Sequence, residues 1–221
     1  MKKYDLFDIL GPIMIGPSSS HTAGAARIGK MARTIYGAPF KGVRFYLHGS
    51  FKETYRGHGS DRALIGGVLG MNPDDENLVQ SPELAESNGV SIEFIPADLG
   101  YVHPNTVKVA FLGDSDEEKF YVIGSSVGGG KIEIIDIDGV KVRFTGEYPT
   151  IIGEYADRFG MIRDISTILT ETGLNIAGLK VTREDGMAQL VMEIDQDFPD
   201  TTIDAIRQLP NMRYAIGIKT I

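Results

Sequence analysis

Two histidines and a set of hydroxyls are the residues whose types and spacing suit chemistry. Ser18, Ser19 and Ser20 run into His21 and Thr22 directly after a Gly16-Pro17 turn. Ala25, Ile28, Ala32 and Ile35 then fall on one side of a helix, so the polar cluster sits where that helix begins. The first N–H groups of a helix lack internal partners and carry partial positive charge, and hydroxyls placed there add donors. That arrangement suits the holding of a carboxylate or a phosphate. The plain alternative is a serine N-cap with spare serines beside it. A second motif, Gly57-His58-Gly59-Ser60-Asp61, sets an imidazole between two glycines, where little crowds its approach to a ligand. Imidazole titrates near 6.5, close to the pH at which a general base works. Asp61 is placed to orient that ring or to cap the next helix.

Two further stretches carry polar groups in glycine- or proline-rich settings. His103-Pro104-Asn105-Thr106 closes a loop that begins at Leu99, and Ser125-Ser126-Val127-Gly128-Gly129-Gly130 lies between two expected strands. A glycine run of this kind is either a flexible turn or a backbone lining for a ligand. Of the four histidines, His48 reads as a strand-end residue before Gly49-Ser50, and His103 as a turn residue or a substrate contact. At the positive end of a helix His21 is favoured as neutral imidazole, able to donate to a carboxylate or act as a base.

The elements that must position these groups are legible from pattern. The helix carrying the serine cluster runs from about Thr22 to Tyr36 and stops at Gly37-Ala38-Pro39. Val43 to Leu47 is an expected strand, and Ala63 to Leu69 a short, glycine-weakened helix with Ser60 or Asp61 at its cap. Asn72 to Asn88 is acidic and polar, with one exposed helix from Pro82. Ser91 to Ile95, Val107 to Leu112, Phe120 to Ser126, Ile132 to Ile137 and Lys141 to Thr145 read as strands, with turns at Asp114-Ser115-Asp116 and Asp138-Gly139. From about Gly146 the pattern changes. Strand Thr150–Ala156, a helix with Met161, Ile165, Ile168 and Leu169 on one face, strands 174–182 and 187–194, helix 203–209 and strand 212–218 follow. That order, β-α-β-β-α-β, is ferredoxin-like.

Composition narrows the function. A net charge of -8 argues against non-specific binding to nucleic acid or to a membrane surface. The two N-terminal lysines lead into no long apolar region, and no run of 18 apolar residues exists, so neither a signal peptide nor a membrane span is expected and the cytoplasm is the expected compartment. Glycine is abundant, 27 of 221 residues, and much of it falls in the motifs above, which points to close backbone approach. There is no cysteine, hence no thiol nucleophile, no disulfide, and no zinc–thiolate or iron–sulfur site held in the usual way by this chain alone.

Two resemblances add to this reading. Asp157-Arg158-Phe159-Gly160-Met161-Ile162 and Gly173-Leu174-Asn175-Ile176 make residues 148–221 resemble an ACT domain, a family that more often has Pro where Phe159 stands. Such domains pair side by side and bind small ligands, often amino acids, at the pair interface. That implies self-association, with Asp157, Gly160 and Asn175 as ligand contacts. Residues 1–147 resemble the beta subunit of the iron–sulfur-dependent L-serine dehydratases, through Gly16-Pro17-Ser18-Ser19-Ser20-His21-Thr22, Gly57-His58-Gly59-Ser60-Asp61, His103-Pro104-Asn105-Thr106 and Ser126-Val127-Gly128-Gly129-Gly130 in that order. Thr is common in that family where Ser60 stands, and either residue keeps the hydroxyl.

The fold implied is α+β: a mixed-sheet, allosteric-substrate-binding-like domain, then the ferredoxin-like ACT domain. The activity implied is conversion of L-serine to pyruvate and ammonia by a two-chain enzyme. Its alpha chain holds a four-iron four-sulfur cluster that acts as Lewis acid on the substrate, and this chain binds no metal. The resemblance favours His58 as the base that removes the Cα proton, with His21 second. Ser18, Ser19, Ser20, Thr22 and Ser60 become candidates for binding carboxylate and hydroxyl, followed by Asn105 and the backbone of Gly128 and Gly129. Two other readings stand beside this one. Domains of similar shape serve as allosteric anion-binding modules in some phosphoglycerate dehydrogenases, so the chain could be a non-catalytic regulatory subunit for an anionic or amino-acid effector. A phosphate-handling transferase would use the serine loop, but the Gly-x-x-x-x-Gly-Lys-Ser/Thr motif is missing.

Overall fold

The computed structural model describes residues 12–220, so the apolar lead-in at Tyr4 to Leu10 lies outside it. The chain divides into two compact units, Met1–Thr145 and Gly146–Ile221. In the first unit a six-stranded sheet has the order β2-β1-β3-β4-β5-β6. Strands β1 (Gly42–Leu47) and β2 (Ser91–Pro96) pair parallel. Strands β3 (Thr106–Leu112), β4 (Glu118–Gly128), β5 (Lys131–Ile137) and β6 (Val140–Phe144) continue the sheet antiparallel. The sheet is therefore mixed. Strand β1 alternates in burial, with Val43, Phe45 and Leu47 at most 1% exposed and Arg44 and Tyr46 half-buried. Each fully buried apolar side chain of this kind contributes about 1.5–3 kcal/mol.

Helix α1 (Gly24–Tyr36) buries Ala25, Ile28 and Ala32, the face expected from their spacing, and ends at a left-handed Gly37 whose N–H donates to the Arg33 carbonyl. It crosses β4 at Gly124, where a Cβ would come within 2.9 Å of Ile28. Two short helices follow β1: α2 (Gly49–Thr54), which sequence periodicity does not reveal, and α3 (Ser60–Val68), expected over Ala63 to Leu69. Glycines weaken α3, at a cost of about 0.5–1 kcal/mol each. They are required because α1 and α3 cross backbone to backbone. A Cβ on Gly67 would lie 2.2 Å from the Ala26 carbonyl, and one on Gly29 2.6 Å from the Leu64 carbonyl. This crossing brings the N-terminal ends of the two helices, and with them the two histidine motifs, side by side. A 3-10 turn, Glu76–Gln80, leads into α4 (Ser81–Ser87), the helix expected from Pro82, which is not wholly exposed because Ser81 and Ala85 are buried.

The second unit has strand β7 (Thr150–Ala156), helix α5 (Met161–Glu171), strands β8 (Ile176–Glu184) and β9 (Met187–Ile194), helix α6 (Asp200–Arg207) and strand β10 (Met212–Ile218). Its sheet order is β10-β7-β9-β8 with every neighbouring pair antiparallel, the ferredoxin-like arrangement of ACT domains. Met161, Ile165 and Leu169 of α5 and Ile203 and Ile206 of α6 pack on Ile151, Tyr155, Leu190 and Met192. Strand β8 starts at Ile176 rather than Leu174, because the Leu174 N–H closes the end of α5 on the Leu169 carbonyl. The β8–β9 turn carries Asp185 and Gly186 at φ 48° and 76°, the two left-handed residues that a tight hairpin needs. Among the described residues no helix is long and apolar enough to cross a membrane.

Candidate active site

The serine cluster does not precede the first helical turn but forms it. Ser18 is extended, and its Oγ accepts from the His21 N–H at 3.2 Å, so it is the N-cap. Residues Ser19–Ala23 make one π-helical turn before α1 begins. The expectation of a helix starting at Thr22 with free serines ahead of it is corrected accordingly. The plain N-cap reading holds for Ser18. Ser20 Oγ lies 3.0 Å from His21 Nδ1 and 3.4 Å from Ser18 Oγ, while Ser19 is half-buried. Thr22 turns inward, is 3% exposed, and donates its hydroxyl to the His58 carbonyl at 3.0 Å. That bond ties the first motif to the second across 36 residues. Gly16, at φ 137°, lies against Thr22, where a Cβ would come 2.5 Å from the methyl.

The His21 ring is held on several sides. Its Nε2 is 3.0 Å from Ser50 Oγ, its edge meets Phe51 with ring centroids 5.3 Å apart, and its face tilts over His58 at 5.0 Å. Burial, and then the neighbouring His58, hold its protonation below the ordinary range near 6.5, so at neutral pH it is uncharged. His58 sits in the turn between α2 and α3, with its N–H on the Thr54 carbonyl at 3.2 Å. The next residue, Gly59, caps α3 in a left-handed conformation with open space around it, so glycine is required there by its φ of 69° rather than by crowding. Neither Ser60 nor Asp61 caps α3, contrary to expectation. The Asp61 carboxylate accepts from the Arg62 N–H and does not orient the imidazole. Ser60 is fully buried. Its Oγ and His58 Nδ1 are both buried without a hydrogen-bond partner.

The other two motifs close a ring with these. Pro104 accepts at its carbonyl from the Ser50 N–H at 2.8 Å, and a Cβ on Gly49 would strike that same carbonyl at 2.5 Å. The Asn105 N–H donates to His103 Nδ1 at 3.1 Å, and the Asn105 carbonyl accepts from the Ser126 N–H at 2.8 Å. Thr106 and Ser125 share a buried hydroxyl–hydroxyl bond of 2.7 Å. Ser126 Oγ is buried, unpaired and packed on Gly24, where a Cβ would be 2.1 Å away. Gly128, Gly129 and Gly130 are all left-handed, and the Gly130 carbonyl accepts from Arg27 at 2.8 Å. Motifs up to 103 residues apart thus lie in contact around the N-terminus of α1.

An open cavity of about 150 Å³ lies beside this ring, bounded by Gly16, Pro17, Thr22, His58, Arg62 and Leu78, among others. His58 and Thr22 line it. Ser18, Ser19, Ser20, Asn105, Gly128 and Gly129 do not. Ser50, Ser126 and Arg27 join the ring although their types alone did not single them out. The Gly49-Ser50 pair after β1, with Thr54 four residues on, was the available signal. His48 behaves as a strand-end residue, with Nδ1 accepting from the Leu99 N–H at 3.1 Å.

In the second unit Asp157 pairs with Arg183 at 3.1 Å, near the end of β8. Gly160, at φ 85°, caps α5. Asn175 precedes β8 at the opposite end of the sheet and reaches Asp195. Within one copy, therefore, Asn175 does not share a site with Asp157 and Gly160. Among the described residues no group of three or more His, Asp or Glu is placed to hold a metal ion. With no thiolate anywhere in the sequence, the donor set does not fit an iron–sulfur cluster.

Comparison with known proteins places the chain in a family. The family model described as "Serine dehydratase beta chain" matches residues 4–89. The "Probable L-serine dehydratase, beta chain" of Bacillus subtilis is 42% identical over 96% of this chain and 96% of its own length. The "L-serine dehydratase, beta chain" of Peptoniphilus asaccharolyticus is 44% identical over 93% and 94%. A D-3-phosphoglycerate dehydrogenase of Methanocaldococcus jannaschii is 29% identical over 62% of this chain but only 26% of its own. Among solved structures, the ACT domain of a GTP pyrophosphokinase from Chlorobium tepidum is 19% identical, covering 32% of this chain and 95% of that one at a TM-score of 0.28.

Proposed function

Because the chain belongs to the serine dehydratase beta-chain family, we propose that it supplies the proton-handling half of a cytoplasmic L-serine dehydratase whose active centre is shared with an alpha chain. The four-iron four-sulfur cluster is assigned to that alpha partner, since this chain offers no thiolate. Residues of this chain bind and orient the substrate and take up one proton. His58 accepts the Cα proton of L-serine, the Cβ–O bond breaks as the Cα–Cβ double bond forms, and His58 returns that proton to the departing hydroxyl, which leaves as water. The resulting enamine tautomerises to an imine, which adds water and releases ammonia to give pyruvate. The Ser19 hydroxyl, which lies outside the cavity that His58 lines, is assigned to the carboxylate. Thr22 and Ser60 act from below, Thr22 by holding the His58 backbone. The ACT unit joins two copies of the chain, and a small amino acid seated there calls on Asp157 and Gly160 of one copy and Asn175 of the other.

One observation carries the choice of base. Both ring nitrogens of His21 lie within 3.0 Å of serine hydroxyls, whereas the His58 ring lines the cavity and its Nδ1, though buried, has no hydrogen-bond partner. A base needs an uncommitted lone pair within reach of the substrate. The test is co-expression with the alpha chain under anaerobic conditions and an assay of pyruvate from L-serine. His58→Ala abolishes turnover while the two chains still copurify, and near-normal activity removes His58 from the mechanism. The phosphoglycerate dehydrogenase relative, matched over only part of its length, favours a second reading as an effector-binding module. In that case His58→Ala leaves turnover intact and abolishes only the response to a bound anion.

A further inference from the structure

Ser50 has no part in the proton transfer described above, yet its surroundings fix it more tightly than its sequence context suggests. Gly49 adopts a left-handed φ of 53°, and a Cβ there would lie 2.5 Å from the Pro104 carbonyl. No larger residue lets the start of α2 sit so close to that loop. The Ser50 N–H then donates to the Pro104 carbonyl at 2.8 Å, and the Ser50 carbonyl accepts from Thr54 Oγ1 at 2.7 Å. With both backbone groups tied, the Ser50 hydroxyl is delivered to one place, 3.0 Å from His21 Nε2. On the far side of the ring Ser20 Oγ stands 3.0 Å from Nδ1. Phe51, the residue after Ser50, covers the ring edge.

We infer that Ser50 is a positioning residue: it clamps His21 against Ser20 in one ring orientation, so that His21 packs on His58 without competing for the substrate proton. A neutral imidazole has one donor and one acceptor nitrogen, and a hydroxyl on each satisfies both. Without Ser50, Nε2 is left unpaired in a half-buried site, and the ring is free to turn. His58 then meets a mobile neighbour that accepts protons instead of a fixed neutral one. The catalytic consequence rests on the dehydratase reading, but the placement of the ring does not.

The test begins with the full chain labelled with 15N at histidine. In the unmodified chain the His21 ring gives one set of resonances with through-space contacts to Phe51. Ser50→Ala shifts these resonances and weakens the contacts as the ring turns, and Ser50→Thr, which keeps the hydroxyl, restores them. Unchanged His21 resonances in Ser50→Ala overturn the inference. In the assembled enzyme Ser50→Ala lowers kcat about tenfold or more with KM nearly unchanged, as expected when a neighbour of the base is misplaced, and Ser50→Thr recovers most of it. Full kcat in Ser50→Ala also overturns the proposal. Absence of serine turnover in the unmodified assembly would instead remove the dehydratase reading, leaving the resonance experiment to decide the role of Ser50.

Discussion

Two loops in this chain lead into a helix and carry the motifs of their units, and they treat their polar groups in opposite ways. Around Ser18–Thr22 the first unit leaves His58 Nδ1, Ser60 Oγ and Ser126 Oγ buried and unpaired. Around Asp157–Gly160 the second unit pairs its charges: Asp157 with Arg183, and Asp164 with both Arg158 and Arg163. Arg158 and then Arg163 hold the Asp164 carboxyl below the usual carboxylate range. A buried polar atom without a partner costs about 1–3 kcal/mol, so three of them in one ring of motifs mark a place where folding is not the only demand. The second loop carries no such cost. Its charges are paired and its Phe159 is exposed.

The contrast is open to attack by substitution. The largest effect is expected at the helix crossing that sets up the first site. Gly67→Ala puts a methyl into the Ala26 carbonyl and costs about 1–3 kcal/mol in denaturant unfolding. Gly153→Ala in β7, where a Cβ meets nothing closer than 3.5 Å, stays within about 0.5 kcal/mol. Equal losses at the two glycines would erase the distinction. Thr22→Val removes the hydroxyl that holds the His58 carbonyl and is expected to cost about 1 kcal/mol and to depress turnover, read by the same unfolding curves and a pyruvate assay.

Acid sensitivity separates the units next. His21 titrates lower folded than unfolded, so the unfolded chain binds more protons. Stability is therefore fully present above about pH 6.5 and falls as pH drops through the folded value. His21→Gln flattens this slope in the first unit, monitored by thermal unfolding between pH 7.5 and about pH 5. Smallest of all, Arg183→Ala opens the largely exposed pair with Asp157 and changes stability by less than about 1 kcal/mol.

Much of this architecture was legible before any coordinates. The apolar spacing of α1 placed its buried face, and turn residues marked the hairpins. The alternation of strands and helices after Gly146 gave the ferredoxin-like order. What stayed hidden has physical causes. A π-helical turn uses the same residues as an α-helical one and differs only in bonding one residue further on, so Ser19–Ala23 carried no distinguishing pattern. Helix α2 has six residues, too few to show a period. Ser50 was passed over because its partner His21 lies 29 positions earlier. Asp61 looked like a cap because short carboxylates favour that role, yet the left-handed Gly59 had already turned the chain into α3. Asn175 fitted its motif, but the sheet carries it to the opposite end from Asp157.

The division of labour between the two imidazoles is tested most directly by comparing kcat/KM for L-serine in the anaerobically assembled two-chain enzyme bearing His58→Gln with that bearing His21→Gln. The account predicts a loss of about a hundredfold or more for His58→Gln and a much smaller loss for His21→Gln, whose amide still bonds to the flanking hydroxyls. The reverse order, or a His58→Gln enzyme that still turns over serine at nearly the original rate, would contradict it.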